Sequence, residues 1–254
     1  MSAMRDDQGP GGVARLRRAA RRAARRTVDA VVGPVAGSLA GGRTAHAVAV
    51  TYDDGPEPTV TPHLLDVLDE HGARCTFFVL VPLAEEHPDL VLDAIARGHE
   101  IALHGLDHTP LTDRSHRAAV ATLRTARARL EQVTGTPVTR YRPPYGKQTP
   151  ATWLAARRAG LEVVVWTCDA ADWVDATEHE VAQRGLARLS PGGVLLLHER
   201  IEPGPRGEPV STSFDRVTVA RLVLAELAAR GLEARTVDAL VAEAGPRRTA
   251  WFGH

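Results

Sequence analysis

At 254 residues, 44% of them apolar, the chain is long enough to bury one substantial core, and α/β barrels of this length are ordinary. Its 31 Lys and Arg balance 31 Asp and Glu to a formal net charge of zero, which argues against a polyanion binder and so against nucleic acid as a partner. The 2 cysteines, Cys75 and Cys168, lie inside apolar runs and exclude a disulfide framework or a cysteine-built zinc knuckle.

The charge balance hides an asymmetry. Arg15, Arg17, Arg18, Arg21, Arg22, Arg25 and Arg26 make the N-terminus strongly basic. Ala14–Arg26 has helical spacing and little but Ala, Leu and Arg, and Thr27–Ala40 is broken by Asp29, Gly33, Pro34 and Gly37. Neither stretch offers a signal-peptide core or the ~20 apolar residues of a spanning helix. Residues 1–44 therefore read as a solvated basic extension. A weak membrane-surface contact and a degenerate twin-arginine export signal are the functional alternatives, and a cytoplasmic or peripheral location is expected.

From His46 onward, short apolar runs alternate with helical patterns, the signature of a βα-repeating fold with a parallel sheet. Strands are predicted over 47–52, 74–80, 99–103, 138–142, 161–167 and 193–197, with a weaker one near 232–236. Pro62 opens a helix that ends at Gly72, and others run over 82–97 and 115–134. A further helix starts at Pro150, and later ones cover 177–189, 214–230 and 236–244. The Pro- and Gly-rich stretch Glu202–Ser213 is a loop long enough to cover a site. Residues 45–243 read as one domain and 244–254 as a tail.

Five predicted strands end in unusual polar residues, and in a parallel barrel all C-terminal strand ends meet on one face. Asp53 and Asp54 follow the run Ala47–Tyr52 and precede the turn Gly55-Pro56. Two carboxylates at the mouth of a buried strand carry desolvation and repulsion that a cation would relieve. His104 and His108 are spaced to reach one ion, and with a converging carboxylate they form a two-histidine, one-carboxylate set that keeps positions open. Arg142-Pro143-Pro144-Tyr145-Gly146, Asp169 to Trp173, and His198-Glu199 complete the strand ends. Singly each has a bland reading: a turn, a helix cap, a core histidine. All five together at strand ends do not.

Thr51 to Pro56, His104-x-x-x-His108, Arg142 to Gly146, Asp172-Trp173 and Leu196-Leu197-His198 resemble, in order and spacing, the five motifs of the polysaccharide deacetylase family. This is the NodB-homology domain of carbohydrate esterase family 4. The resemblance spans roughly residues 46–240. It implies a distorted (β/α) barrel of about seven strands and metal-dependent removal of acetyl groups from N-acetylated amino sugars; a monomer is expected. It further implies that Asp54, His104 and His108 hold a divalent metal, zinc in first place and cobalt or nickel as alternatives. Asp53 is then the general base and Arg142 its partner, while His198 is the general acid oriented by Asp172. Tyr145 offers a backbone N–H to the oxyanion, and Trp173 and Leu196 shape the acetyl pocket.

Gly105 stands where the family has Ser or Thr, so the brace of His104 must come from elsewhere, with Asp107 the candidate. The polymer acted on stays open, and few aromatics are available to line a long groove. Three rival functions also stay open: an amidohydrolase acting on a small cyclic amide, a catalytically inactive sugar-binding barrel, and a membrane-docked scaffold.

Overall fold

The computed structural model describes residues 33, 36–44, 46–204 and 206–250, so the arginine-rich segment and its membrane and export alternatives lie outside the described residues. The strands are β1 (Ser38–Gly42), β2 (Ala47–Asp53), β3 (Thr76–Leu80), β4 (Glu100–Gly105), β5 (Arg140–Tyr141), β6 (Glu162–Val163), β7 (Cys168–Asp169), β8 (Val194–His198), β9 (Glu233–Arg235) and β10 (Pro246–Thr249). The helices are α1 (Thr61–Glu70), α2 (Val81–Glu86), α3 (Pro88–Ala96), α4 (His116–Thr134), α5 (Pro150–Arg158), α6 (Glu178–Leu186), α7 (Arg216–Ala229) and α8 (Val237–Ala244).

Eight strands form one sheet in the order β6-β5-β4-β3-β2-β8-β7, with β9 beside the start of β2. Every pairing in it is parallel. Residues 162–169 join its two ends by changing partner as they go. Val164 N–H donates to the Tyr141 carbonyl, Val165 N–H to that of Leu39, and Thr167 N–H to that of Val194. The predicted strand 161–167 is therefore two short strands, and the sheet curls into the distorted barrel.

Two further differences from the predicted elements have simple causes. The helix expected over 82–97 is split at Pro88, which has no N–H to continue it and instead opens α3. Residues expected to lie outside the domain, Ser38–Gly42 and Pro246–Thr249, pair antiparallel as β1 and β10. Leu39 is fully buried in the gap between the sheet ends, so the apolar Leu39-Ala40 pair belongs to the core.

Period-2 alternation decides what the barrel presents. Val48, Val50 and Tyr52 pack outward with Leu64, Leu68 and Phe77 under the helices. Ala47 and Ala49 pack inward with Leu39, Phe78, Ala102 and Val194. Continuing that inward set along β2 gives Thr51 and then Asp53. In β4, Val79 of β3 pairs with Leu103 but Leu80 pairs with Gly105. His104 is thus the extra residue of a bulge, the device that re-aims a side chain at a strand end.

Candidate active site

The C-terminal ends of β2, β4 and β8 and the loops after β5 and β7 open onto a cavity of about 300 Å³. Eight of the ten predicted site residues line it, from Asp53 and Asp54 to His198. The other two, Arg142 and Asp172, stand behind Asp53 and His198 and hold them.

Asp54 sits in the left-handed region at φ 69°, a conformation Asp tolerates better than most residues. That turn sends its carboxylate away from that of its neighbour. Asp54 Oδ1 lies 3.2 Å from His104 Nε2 and 3.3 Å from His108 Nε2, while Oδ2 accepts the Glu202 N–H at 3.0 Å. His104 Nδ1 is 2.9 Å from the Arg142 carbonyl, which can only accept, so the proton of the neutral ring is on Nδ1 and Nε2 presents a lone pair. Burial pushes His108 down to about 4, with only partial opposition from Asp54. Burial would raise the Asp54 carboxyl, but the facing imidazoles of His104, His198 and His108 hold it well below the usual carboxylate range. The Nε2 atoms of two imidazoles therefore converge on a carboxylate oxygen that is itself buried and without a hydrogen-bond partner among the described residues. A cation resolves that convergence, and one carboxylate with two imidazoles is a donor set suited to a divalent transition metal.

Asp53 faces differently. Its Oδ1 accepts from Arg142 Nη1 at 2.6 Å, and the same nitrogen donates to Thr51 Oγ1 at 2.8 Å. Arg142 is fully buried, with its guanidinium 4.0 Å over the Phe78 ring. Oδ2 of Asp53 is the oxygen left toward the pocket, 3.9 Å from His104 Nε2.

His198 is the register partner of Asp53 on the adjacent strand. Its Nδ1 lies 2.7 Å from Asp172 Oδ1, and its backbone N–H donates to Oδ2 at 2.9 Å. Burial would lower the imidazole, but the charge and hydrogen bond of Asp172, with Asp54 and Asp53 beyond, push it up to about 9. Burial likewise would raise Asp172, and is outweighed by His198 and Arg216, which keep it below the usual carboxylate range. Trp173 stands edge-on to the His198 ring at 5.8 Å.

Several pocket residues escaped the sequence reading. Trp166 walls the pocket from residues 162–169, and Ile201, Glu202 and Val210 do so from the loop after β8. Tyr145 Oη donates to the Pro203 carbonyl at 2.6 Å, tying that loop across the cavity. Only the loop's Pro/Gly composition gave warning of it. The brace of His104 is the Arg142 carbonyl, not Asp107, which is exposed and caps the Thr109 N–H. Gly105 is required on packing grounds, since a Cβ there would meet the Asp107 carbonyl oxygen at 2.4 Å. Asp169 accepts the Ala171 N–H in a local turn, and Thr177 caps the helix that follows.

Glu199 lies fully buried beneath the Asp53-Asp54 turn. Burial, little relieved by the hydroxyl of Thr61, raises its carboxyl to about 8. A Cβ on Gly55 would meet its Oε2 at 1.7 Å. Gly55→Ala is therefore expected to cost about 1–3 kcal/mol by overpacking, read as a Tm lower by roughly 2–12 °C for a domain of this size. An unchanged Tm would mean that Glu199 can leave its seat freely.

The sequence pattern of the polysaccharide deacetylase family matches residues 40–164. A chitooligosaccharide deacetylase of Sinorhizobium fredii is 34% identical over 182 residues, covering 71% of this chain and 84% of that protein. The peptidoglycan-N-acetylglucosamine deacetylase PgdA of Listeria monocytogenes is 32% identical over 204 residues. The match covers 79% of this chain and 40% of PgdA's length. Among solved structures, the Bc1960 peptidoglycan N-acetylglucosamine deacetylase superposes with a TM-score of 0.70 at 25% identity, covering 85% of this chain and 94% of that one.

Proposed function

This chain belongs to the polysaccharide deacetylase family, and we propose that it is a hydrolase that cleaves the acetamide of N-acetylated amino sugars. The observation that supports this most is the separation of tasks within one pocket. A metal-fit cluster of Asp54, His104 and His108 sits beside two acid–base groups with different partners, Asp53 on Arg142 and His198 on Asp172.

Asp54, His104 and His108 would hold a divalent ion, zinc by its preference for imidazole with carboxylate. When bound it supplies Lewis-acid polarisation and lowers the pKa of water. Asp53 takes a proton from the attacking water at Oδ2, because Oδ1 is committed to Arg142. Amide hydrolysis also needs a proton on the departing nitrogen. His198 supplies it from Nε2, since Nδ1 is committed to Asp172, and an imidazole raised to about 9 is charged at neutral pH. Base and acid sit side by side on β2 and β8, which brackets the acetyl carbon between them. Trp166, Trp173 and Leu196 exclude water around the methyl group, and the backbone N–H of Tyr145 is the donor assigned to the oxyanion.

The function is tested by acetate release from N-acetylglucosamine oligomers after apo-protein is refilled with single metals, with ring opening of small imides in parallel. Acetate release with zinc is expected. Imide opening with no acetate from any amino sugar would replace this reading with the cyclic-amide one.

His198→Ala separates the acid from the rest of the site. Amide turnover is expected to fall by about 10²–10⁴-fold, while hydrolysis of p-nitrophenyl acetate, whose leaving group needs no proton, changes little. Equal losses on both substrates would remove the acid role.

A further inference from the structure

Arg216 is the first residue of α7, where a cation opposes the positive end of the helix dipole. Asp215 already caps that turn through the Val217 and Thr218 N–H groups. The arginine side chain is 12% exposed; it turns back from the helix and wraps the far side of Asp172. Nη1 donates to Asp172 Oδ2 at 3.0 Å and to the His198 carbonyl at 3.3 Å. Nη2 donates to the Asp172 carbonyl at 3.4 Å and to Thr212 Oγ1 at 3.2 Å. The Phe214 ring lies 5.0 Å from the guanidinium carbon. Three segments of chain are joined at one planar group: the loop after β7, the end of β8 and the approach to α7.

We infer that Arg216 is a positioning residue for the proton donor, clamping Asp172 so that His198 Nε2 stays aimed at the substrate nitrogen. Asp172 has two oxygens to place. Oδ1 belongs to the His198 ring, and Oδ2 is shared between the His198 N–H and Arg216. Without the guanidinium, a buried carboxylate would keep one charged partner and lose the contact that resists its rotation. The fork geometry is what holds both the side chain and the backbone of Asp172, and a lysine ammonium cannot reproduce it. The clamp parallels the Asp53–Arg142 pair across the pocket, so each carboxylate that serves proton transfer carries its own arginine. This inference rests on the acid role given to His198 above.

The test compares acetate release from an N-acetylglucosamine oligomer with p-nitrophenyl acetate hydrolysis, in zinc-loaded wild type, Arg216→Met, Arg216→Lys, Arg216→Ala and His198→Ala. Arg216→Met is expected to lose about 10²-fold on the amide, the scale of a misplacement near 1 Å, with the ester rate within about 3-fold of wild type, a span below one tenfold step in rate. Arg216→Lys should fall between the two, and guanidinium ion should restore amide turnover to Arg216→Ala. Equal losses on amide and ester, full activity on both, or failure of guanidinium to rescue would overturn the inference and leave Arg216 a structural ion pair. If His198→Ala shows the amide–ester split and Arg216→Met does not, only this inference falls. If neither shows it, the acid assignment falls first and takes this inference with it.

Discussion

Asp53→Asn is expected to lower amide turnover by about 10³-fold, the scale of lost general-base catalysis, while the protein keeps its metal. The side chain hardly changes shape, and the amide oxygen can still accept from Arg142 Nη1. What disappears is the capacity to take a proton at the oxygen facing the pocket. Asp53 is not part of the Asp54–His104–His108 convergence, so metal content should stay at the wild-type stoichiometry after dialysis. The change also leaves Arg142 fully buried without a counter-charge, which costs about 3–5 kcal/mol when one member of a buried pair is removed. A lower Tm should therefore accompany the lost turnover. Normal acetate release by this variant would end the base assignment.

His104→Ala is expected to lose both metal and turnover. It removes one of three converging donors, and with it the Nδ1 bond to the Arg142 carbonyl that fixes the ring. Such supporting bonds alone are worth about 10–100-fold in metal affinity, so loss of the ligand itself should exceed that range. Without the ion, several kcal/mol of transition-state stabilisation goes, which is at least about 10³-fold in rate. Metal analysis after dialysis, set beside acetate release, separates this outcome from that of Asp53→Asn. A variant that retained one metal per chain at wild-type affinity would exclude His104 from the cluster.

The contrast between these two strand ends explains what could be read from sequence. The alternation of β2 and the doublet Asp53-Asp54 announce two carboxylates at a strand mouth. The His104–His108 spacing and the Arg142 and His198 strand ends complete the pattern. All of these are local signals, visible in a few consecutive residues. The remainder depended on long-range geometry. Nothing in Glu100–Gly105 marks the bulge at His104, because the register is set by β3. Trp166 looked like the apolar end of a strand, and only the partner change across residues 162–169 makes it a pocket wall. Leu39 and Pro246–Thr249 sat in stretches of ordinary surface composition, and their pairing joins residues some 200 positions apart. Arg216 did leave a trace, a cation at a helix start already capped by Asp215, which is locally unfavourable and gains its meaning from Asp172.

Arg142 has a consequence for the molecule as a whole. Its Nε and Nη2 are buried without hydrogen-bond partners among the described residues, and the ring faces of Phe78 and Trp166 flank it. Every chain that folds must strip water from this guanidinium and from Asp53, a penalty of several kcal/mol per ion that their attraction only partly returns. An apolar pair of the same volume would serve the fold as well or better. Thermal robustness and turnover therefore draw on the same few cubic ångströms of barrel, and selection for the one in this protein would be expected to erode the other.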